Sequence, residues 1–378
     1  MRSKSGKRRV CDSFMKYYLD MFLVFCISAC VSAPVVPTAI LPSPAVTVIF
    51  ATLTPTLTPI PTATRTTVQA IYPYTIEGLR KHEFQSGKVT IGEKLLEAEY
   101  FTRYQIEYPS DGLTITGILQ VPTSGEAPYP VIVMNHGFFS RTVYNSGDGT
   151  DRAAEFLNRY GYLTVSSDYR SWGDSDTDVS LFYSGLAIDV VNLMNAIPSI
   201  PQADPDRIGM WGHSMGGGVT LKVLTIDSRV KAAVIYSSVS ADFADIIERW
   251  GPGCYGDVYA GELAFGCNSS DILPVDSPAD LNASYFNSVV DPVILKAVSP
   301  LYHLDKVTAP VQINYGTEDG LTFAGTPPEW STKMYDGFVT ADKDVQIFSQ
   351  QGEGHSFIGE PWFEFMRRSL RFFAKYVK

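Results

Sequence analysis

The chain has 378 residues, 45% hydrophobic, 12% aromatic and 19% charged, an ordinary globular composition with length enough to bury one large α/β core. Acidic residues outnumber basic ones 40 to 30, and a net charge of −10 argues against a nucleic-acid binder, which needs a basic face to displace phosphate counterions. Thirty Gly and 24 Pro are too few for a collagen-like or wholly disordered chain, and outside the N-terminus no apolar run is long enough to span a bilayer.

Residues 2–16 carry six cations (Arg2, Lys4, Lys7, Arg8, Arg9 and Lys16), and the apolar run Met21–Ala29 follows. That order is the order of an export signal, which places the protein outside the cytoplasm. The run ends Ile27-Ser28-Ala29-Cys30, resembling a bacterial lipobox, so Cys30 is the expected lipidation site of a signal over residues 1–30. Cleavage after Ala33 and an uncleaved anchor are the alternatives. Loss of residues 1–29 removes six cations and two anions and moves the net charge from −10 to −14. Such a protein meets a membrane only through its anchor.

Residues 31–67 hold seven Pro and ten Thr, with no charge before Arg65. Repeated Pro removes amide donors and favours extended backbone, so the segment reads as a tether, a surface stalk or a leader without a role. Cys11, Cys26 and Cys30 lie in the targeting region, which leaves Cys254 and Cys267. In an exported chain these two are expected to form one disulfide closing a short loop, with two separate buried thiols as the alternative.

From residue 68 onward, strand-length apolar runs alternate with helical patterns, which predicts an α/β domain over 68–378 with a mostly parallel, doubly wound sheet. Tyr104–Tyr108 and Leu113–Val121 form an expected hairpin turned at Ser110-Asp111-Gly112. Further strands are expected at Val131–Asn135, Tyr162–Ser167, Arg207–Gly212, Val230–Tyr236, Val311–Tyr315 and Val345–Ser349. Helices are expected at Asp151–Tyr160, Leu186–Ala196, from Ser214, and at Pro361–Tyr376. Residues 238–310 break the alternation and read as a cap inserted over the sheet.

Gly212-His213-Ser214-Met215-Gly216 matches G-x-S-x-G between an expected strand and an expected helix, the context a nucleophile elbow requires. A serine hydroxyl needs a base beside it. Of five histidines, His355 lies after the last expected strand, where a Ser…acid…His order puts the base. Asp319 follows VQINY and is the first choice for the acid, with Glu318 its rival. Met215 N–H and Phe138 N–H, the latter in the loop after VIVMN, are the candidate oxyanion donors. Phe139, His213, Trp250 and Tyr255 are candidate pocket residues, since pockets are mostly apolar. No metal-ligand spacing, dinucleotide fingerprint or P-loop occurs, so no metal and no cofactor is expected.

Taken together, NHGF (135–138), DYRSWGDS (168–175), DPDRIGMWGHSMGG (204–217), SPLYHLDKVTAPVQINYGTED (299–319) and GEGHSF (352–357) carry a resemblance. From about residue 100 to 378 the chain resembles an α/β-hydrolase with an inserted cap. Within that fold it is similar to the catalytic domain of the prolyl oligopeptidase family and to dienelactone-hydrolase-like esterases. The resemblance implies Ser214, Asp319 and His355 as the triad, and Asp319 over Glu318. Between the tether and the hydrolase pattern only about thirty residues, 68–100, are available, too few for the propeller of those peptidases. The Tyr that several of them use as an oxyanion donor is replaced by His136-Gly137. Both departures favour a carboxylic ester over a peptide as the small-molecule substrate. A non-catalytic surface binding protein on a hydrolase scaffold is the reading from another class. The oligomeric state is not legible.

Overall fold

The computed structural model describes residues 65–256 and 268–378. The expected signal with Cys30, residues 31–64 of the expected tether, and Cys267 lie outside the described residues.

Two short helices, α1 (Thr67–Ile71) and α2 (Ile76–Arg80), open the described chain. Three strands follow, β1 (Thr90–Glu97), β2 (Phe101–Ser110) and β3 (Leu113–Pro122). The β2–β3 turn is Asp111-Gly112, both at positive φ (51° and 87°), the backbone that Asp and Gly tolerate best. The chain then alternates: β4 (Tyr129–Asn135), α3 (Asp151–Asn158), β5 (Leu163–Ser167), α4 (Ser184–Ala196), β6 (Ala203–His213), α5 (Met215–Ile226) and β7 (Ala232–Tyr236). An insertion carries α6 (Phe243–Trp250), β8 (Gly253–Tyr255), β9 (Asn268–Leu273), α7 (Ala279–Ser288) and α8 (Pro292–Val298). β10 (Val311–Gly316), α9 (Pro328–Thr340), β11 (Val345–Gln350) and α10 (Gly359–Tyr376) complete it.

Nine strands form one sheet in the order β1-β2-β3-β5-β4-β6-β7-β10-β11. β1, β2, β3 and β5 pair antiparallel, and from β5 to β11 every pair is parallel. The parallel strands are apolar on both faces, as a sheet covered by helices on each side demands. Val131 and Val133 of β4 join Met210, Ala233, Ile235 and Ile313 under α4 and α5. Ile132 and Met134 turn the other way, with Trp211, Val234 and Tyr236, against α3 and α10. The period of two along each strand sorts these side chains between the faces.

Outside the insertion, the short helices α1 and α2, the strand β1 and the helix α9 depart from the expected pattern. β1 is exposed at all eight positions, so burial imposes no alternation on it. α9 begins at Pro328, a tolerated first helical position, and carries too few apolar residues to stand out.

The insertion between β7 and β10 shares the core of the α4–α5 face. Phe243, Ile246, Ile272, Tyr285, Leu295 and Val298 belong to the same buried cluster as Leu186 and Val219. Ile272 also bridges to Ser180 by backbone hydrogen bonds. Cys254 is disulfide-bonded. One buried cation lies where the insertion meets α5. Lys222 Nζ donates to Ser184 Oγ at 3.2 Å and sits 4.9 Å from the centre of the Phe243 ring. Burial lowers its pKa to about 7 and raises that of Asp271, on β9, to about 6. Asp271 accepts from the Tyr285 hydroxyl at 2.7 Å.

Candidate active site

β6, β7, β10 and β11 are neighbours in the sheet and run parallel, so four loops leave its carboxyl edge side by side. That edge is where open α/β sheets place their sites. It gathers residues that lie far apart in the chain, among them Ser214, Asp319 and His355.

Ser214 stands between β6 and α5 with φ 55° and ψ −122°, a backbone unfavourable for any side chain bearing a Cβ. Surrounding bonds hold it there. The Ser214 amide donates to the Tyr236 carbonyl at 3.0 Å, and its carbonyl accepts from the amides of Gly217 at 2.9 Å and Val239 at 3.2 Å. Two glycines make the turn possible. A Cβ on Gly216 would fall 2.0 Å from the Asn135 carbonyl oxygen, and one on Gly137 would fall 3.1 Å from Ser214 Cβ. The β4 loop therefore lies against the elbow only because both positions lack side chains. α5 starts at Met215, with its amide end toward the serine, where developing negative charge is favoured.

Asp319 lies in the loop after β10, and its side chain is fully buried. Its carboxylate accepts from His355 Nδ1, 3.1 Å from each oxygen, from the amides of Gly320 and Thr326, each at 2.8 Å, and from Thr326 Oγ1 at 2.7 Å. Burial alone would raise its pKa. The His355 ring and Thr326 outweigh burial and hold the carboxyl below its ordinary value. His355 stands in the loop after β11, about a quarter exposed. With Nδ1 turned to Asp319, Nε2 is left for proton transfer. It is Asp319 and not Glu318 that pairs with His355; the Glu318 amide donates to the Glu353 carbonyl at 2.9 Å.

The expected oxyanion loop is built on His136, which is wholly buried. Its ring stacks on Tyr169 at 4.3 Å and Tyr144 at 4.7 Å. Its nitrogens face the carbonyls of Gly137, at 2.7 Å, and Asp168, at 3.1 Å. The DYRSWGDS segment thus supports this loop: Asp168 also accepts from Thr116 and Tyr144, and Trp172 Nε1 donates to the Phe139 carbonyl at 2.9 Å. Arg170 pairs through two nitrogens with the buried Asp189.

A family model described as X-Pro dipeptidyl-peptidase (S15 family) matches residues 111–270. The Esterase FrsA of Yersinia enterocolitica is 27% identical over 173 residues, covering 43% of this chain and 39% of that protein. The matched segment spans 42% of the length of the first curated relatives. Among solved structures, the Pyrococcus horikoshii acylaminoacyl peptidase is 20% identical with a TM-score of 0.55, over 74% of this chain and 42% of that one. The acetyl xylan esterase from Paenibacillus sp. R4 is 17% identical with a TM-score of 0.57, over 84% and 96%.

The fold is that of an α/β-hydrolase.

Within this fold the four expected pocket residues are placed unequally. His213 is engaged by its neighbours: its ring stacks on Tyr236 at 4.6 Å, and its Nε2 lies 3.1 Å from the His355 carbonyl oxygen. Trp250 packs on Trp330 at 5.3 Å and donates to the Phe323 carbonyl at 2.8 Å, so it holds the loop between Asp319 and Thr326. Phe139 is half-buried against Tyr144, and Tyr255 is exposed. Sequence reasoning missed Thr326, seven residues beyond the acid in a loop without a pattern. Among the described residues no group of three or more His, Cys, Asp or Glu side chains is arranged to hold a metal ion.

Proposed function

We propose that this α/β-hydrolase is an exported serine hydrolase that cleaves carboxylic esters through an acyl-enzyme. Ser214 Oγ attacks the ester carbonyl while His355 Nε2 takes its proton. Asp319 holds the ring by Nδ1 and stabilises the imidazolium that forms. The Met215 and Phe138 amides receive the oxyanion. Collapse breaks the bond to the alcohol, which leaves with the proton from His355. Water then attacks the acyl-enzyme by the same route in reverse. The observation that carries this reading is the buried Asp319 carboxylate bonded to His355 Nδ1, on the sheet edge where Ser214 sits in a strained elbow.

The loops around the site also expose Phe138, Leu321, Phe323 and Ile358. An apolar surround suits an uncharged acyl group better than the charged amine of a peptide. A peptidase is the second reading, favoured by the match to an X-Pro dipeptidyl-peptidase model over residues 111–270. The export signal and lipidation of Cys30 belong to the proposal as well. Loss of fatty-acid labelling in Cys30→Ser tests the anchor, and unchanged labelling refutes it.

Bond type is tested with alkyl esters and amides of one acyl group. Ester kcat/KM is expected to exceed amide kcat/KM by at least ~100-fold, roughly 2.7 kcal/mol of transition-state binding. Equal or better cleavage of the amides restores the peptidase reading.

A further inference from the structure

The strand ends beside the elbow hold the His355 loop at two points. His213 ends β6 and Tyr236 ends β7, and the two are register partners across this parallel pair. Their rings therefore stack, with centroids 4.6 Å apart and planes 27° apart. His213 Nε2 donates to the His355 carbonyl at 3.1 Å, and the two imidazole centroids are 4.9 Å apart. Two residues further on, the Phe357 amide donates to the Tyr236 hydroxyl. That tyrosine ring is packed 4.7 Å from both Phe357 and Phe365. On its other side His213 meets the oxyanion loop: a Cβ on Gly137 would lie 3.5 Å from His213 Nδ1.

The first half of the His355 loop is tied differently. The Gly352 amide donates to Thr317 Oγ1 at 2.9 Å, and the Glu353 carbonyl accepts from the Glu318 amide at 2.9 Å. His213 and Tyr236 fasten the backbone on either side of Ser356 in the half that carries the imidazole, where Arg152 Nη1 also donates to the Phe357 carbonyl at 3.3 Å and the Ile358 amide to Glu353 Oε2 at 2.9 Å.

We propose that His213 and Tyr236 are positioning residues that clamp the backbone on both sides of Ser356, fixing where the His355 ring stands relative to Ser214. This rests on the reading of His355 as the general base. Asp319 constrains the ring at one nitrogen only, and a ring held at one point can still swing. The clamp removes that freedom by fixing the carbonyl of His355 and the amide of Phe357. His213 is suited to the task because it stays neutral. Burial lowers its pKa to about 3, and the charge that His355 acquires opposes a second charge beside it. It therefore keeps its Nε2 proton for the His355 carbonyl and does not draw the proton that His355 takes from Ser214.

Three variants of the full chain test the clamp. His213→Phe keeps a stacking ring and removes the donor. Tyr236→Phe keeps the ring and removes the acceptor. His213→Gln restores an N–H donor. The readouts are the rate of fluorophosphonate labelling of Ser214, ester kcat and KM, and melting temperature. Each Phe variant is expected to lower labelling and kcat roughly 10- to 100-fold at unchanged KM, the scale of a small misplacement of a reacting group. The double variant should lose less than the product of the single losses, because both bonds serve one loop. His213→Gln should recover most of the rate. Wild-type labelling in both Phe variants overturns the clamp, and so do equal losses in His213→Gln and His213→Phe. Failure of the base reading shows elsewhere: His355→Ala would then label as fast as the wild type, whatever the clamp variants do.

Discussion

The carboxyl edge of the sheet and the insertion after β7 are built on different principles. At the edge, polar atoms near the reacting groups are bonded in a fixed geometry, and the strain at Ser214 is held by backbone bonds to Tyr236, Gly217 and Val239. In the insertion, apolar packing carries the structure, and the ionisable Asp271 is buried in it, interacting with the buried Lys222 of α5. The first arrangement suits chemistry, where position decides rate. The second suits a segment whose work is to cover and shape. Substitutions in the two regions should therefore fail in different ways, the edge losing mainly rate and the insertion changing mainly stability.

The largest effect is expected at the edge. Ser214→Ala should abolish fluorophosphonate labelling and lower turnover by several orders of magnitude, because only binding and oxyanion stabilisation survive. Asp319→Asn should be nearly as damaging, and Glu318→Gln mild. A severe Glu318→Gln would move the acid to Glu318 and break the account of the edge. Melting temperature should change little for Ser214→Ala.

The edge was legible in the sequence and the insertion was not, for a physical reason. An elbow demands small residues at fixed offsets from the serine, and Gly212, Gly216 and Gly217 supply them within a few positions. Strands buried on both faces read as apolar runs, so β4, β6, β7 and β10 were expected within a few residues of where they lie. Asp319 and His355 follow strands at places the fold family prescribes. The strand order was not legible, because adjacency in a sheet leaves no local mark on the chain. Nor were Thr326, or the part His213 and Tyr236 take in fastening the His355 loop, since each acts through a contact between distant segments. In the insertion, helix and strand signals are short and packing decides them, so only its outline, 238–310, was expected.

Lys222 of α5, buried against Phe243 of the insertion, is where stability can be changed without loss of rate. Its folded pKa is lowered to about 7 from 10.5. Between those values the unfolded chain binds more protons than the folded one, so this group makes stability rise with pH. Lys222→Met should therefore outlast the wild type in urea at pH 6. Its advantage should shrink by about 1.4 kcal/mol per pH unit above about 7, until unfolded lysine titrates. A margin independent of pH would show that Lys222 is not a buried cation in the folded protein. Ester turnover at fixed pH should stay close to wild type.

The disulfide is the next test, within the insertion itself. Cys254 is bonded, and its expected partner is Cys267. Linked peptides in a non-reduced digest would identify the pair. Cys254→Ser with Cys267→Ser should lower stability by roughly 2–3 kcal/mol through the freed unfolded chain. Two freely alkylated thiols in protein from an oxidising compartment would remove the claim.

Thr326 sharpens the contrast most finely, because it sits beside the acid yet touches no substrate in the proposed reaction. Its hydroxyl and its amide each donate to one oxygen of Asp319, at 2.7 and 2.8 Å. Thr326→Val keeps the shape and the amide bond and removes the hydroxyl. Asp319 Oδ2 then relies on His355 alone, and the carboxylate is both less fixed and less favoured. Two readouts follow. The loss of a charge-assisted bond in this position should lower kcat about tenfold, some 1.4 kcal/mol, at unchanged KM. Acid unfolding should also move. The folded carboxyl titrates below its ordinary 3.8, so its contribution to stability is present above that value and is lost as pH falls through the lower folded pKa. With the hydroxyl gone the folded pKa rises toward 3.8, and unfolding should begin at a higher pH than in the wild type. Thr326→Ser, which keeps the hydroxyl, should restore both the rate and the acid transition. If Val and Ser behave alike, the hydroxyl is idle and the Asp319 carboxylate is held by the two amides and His355 alone.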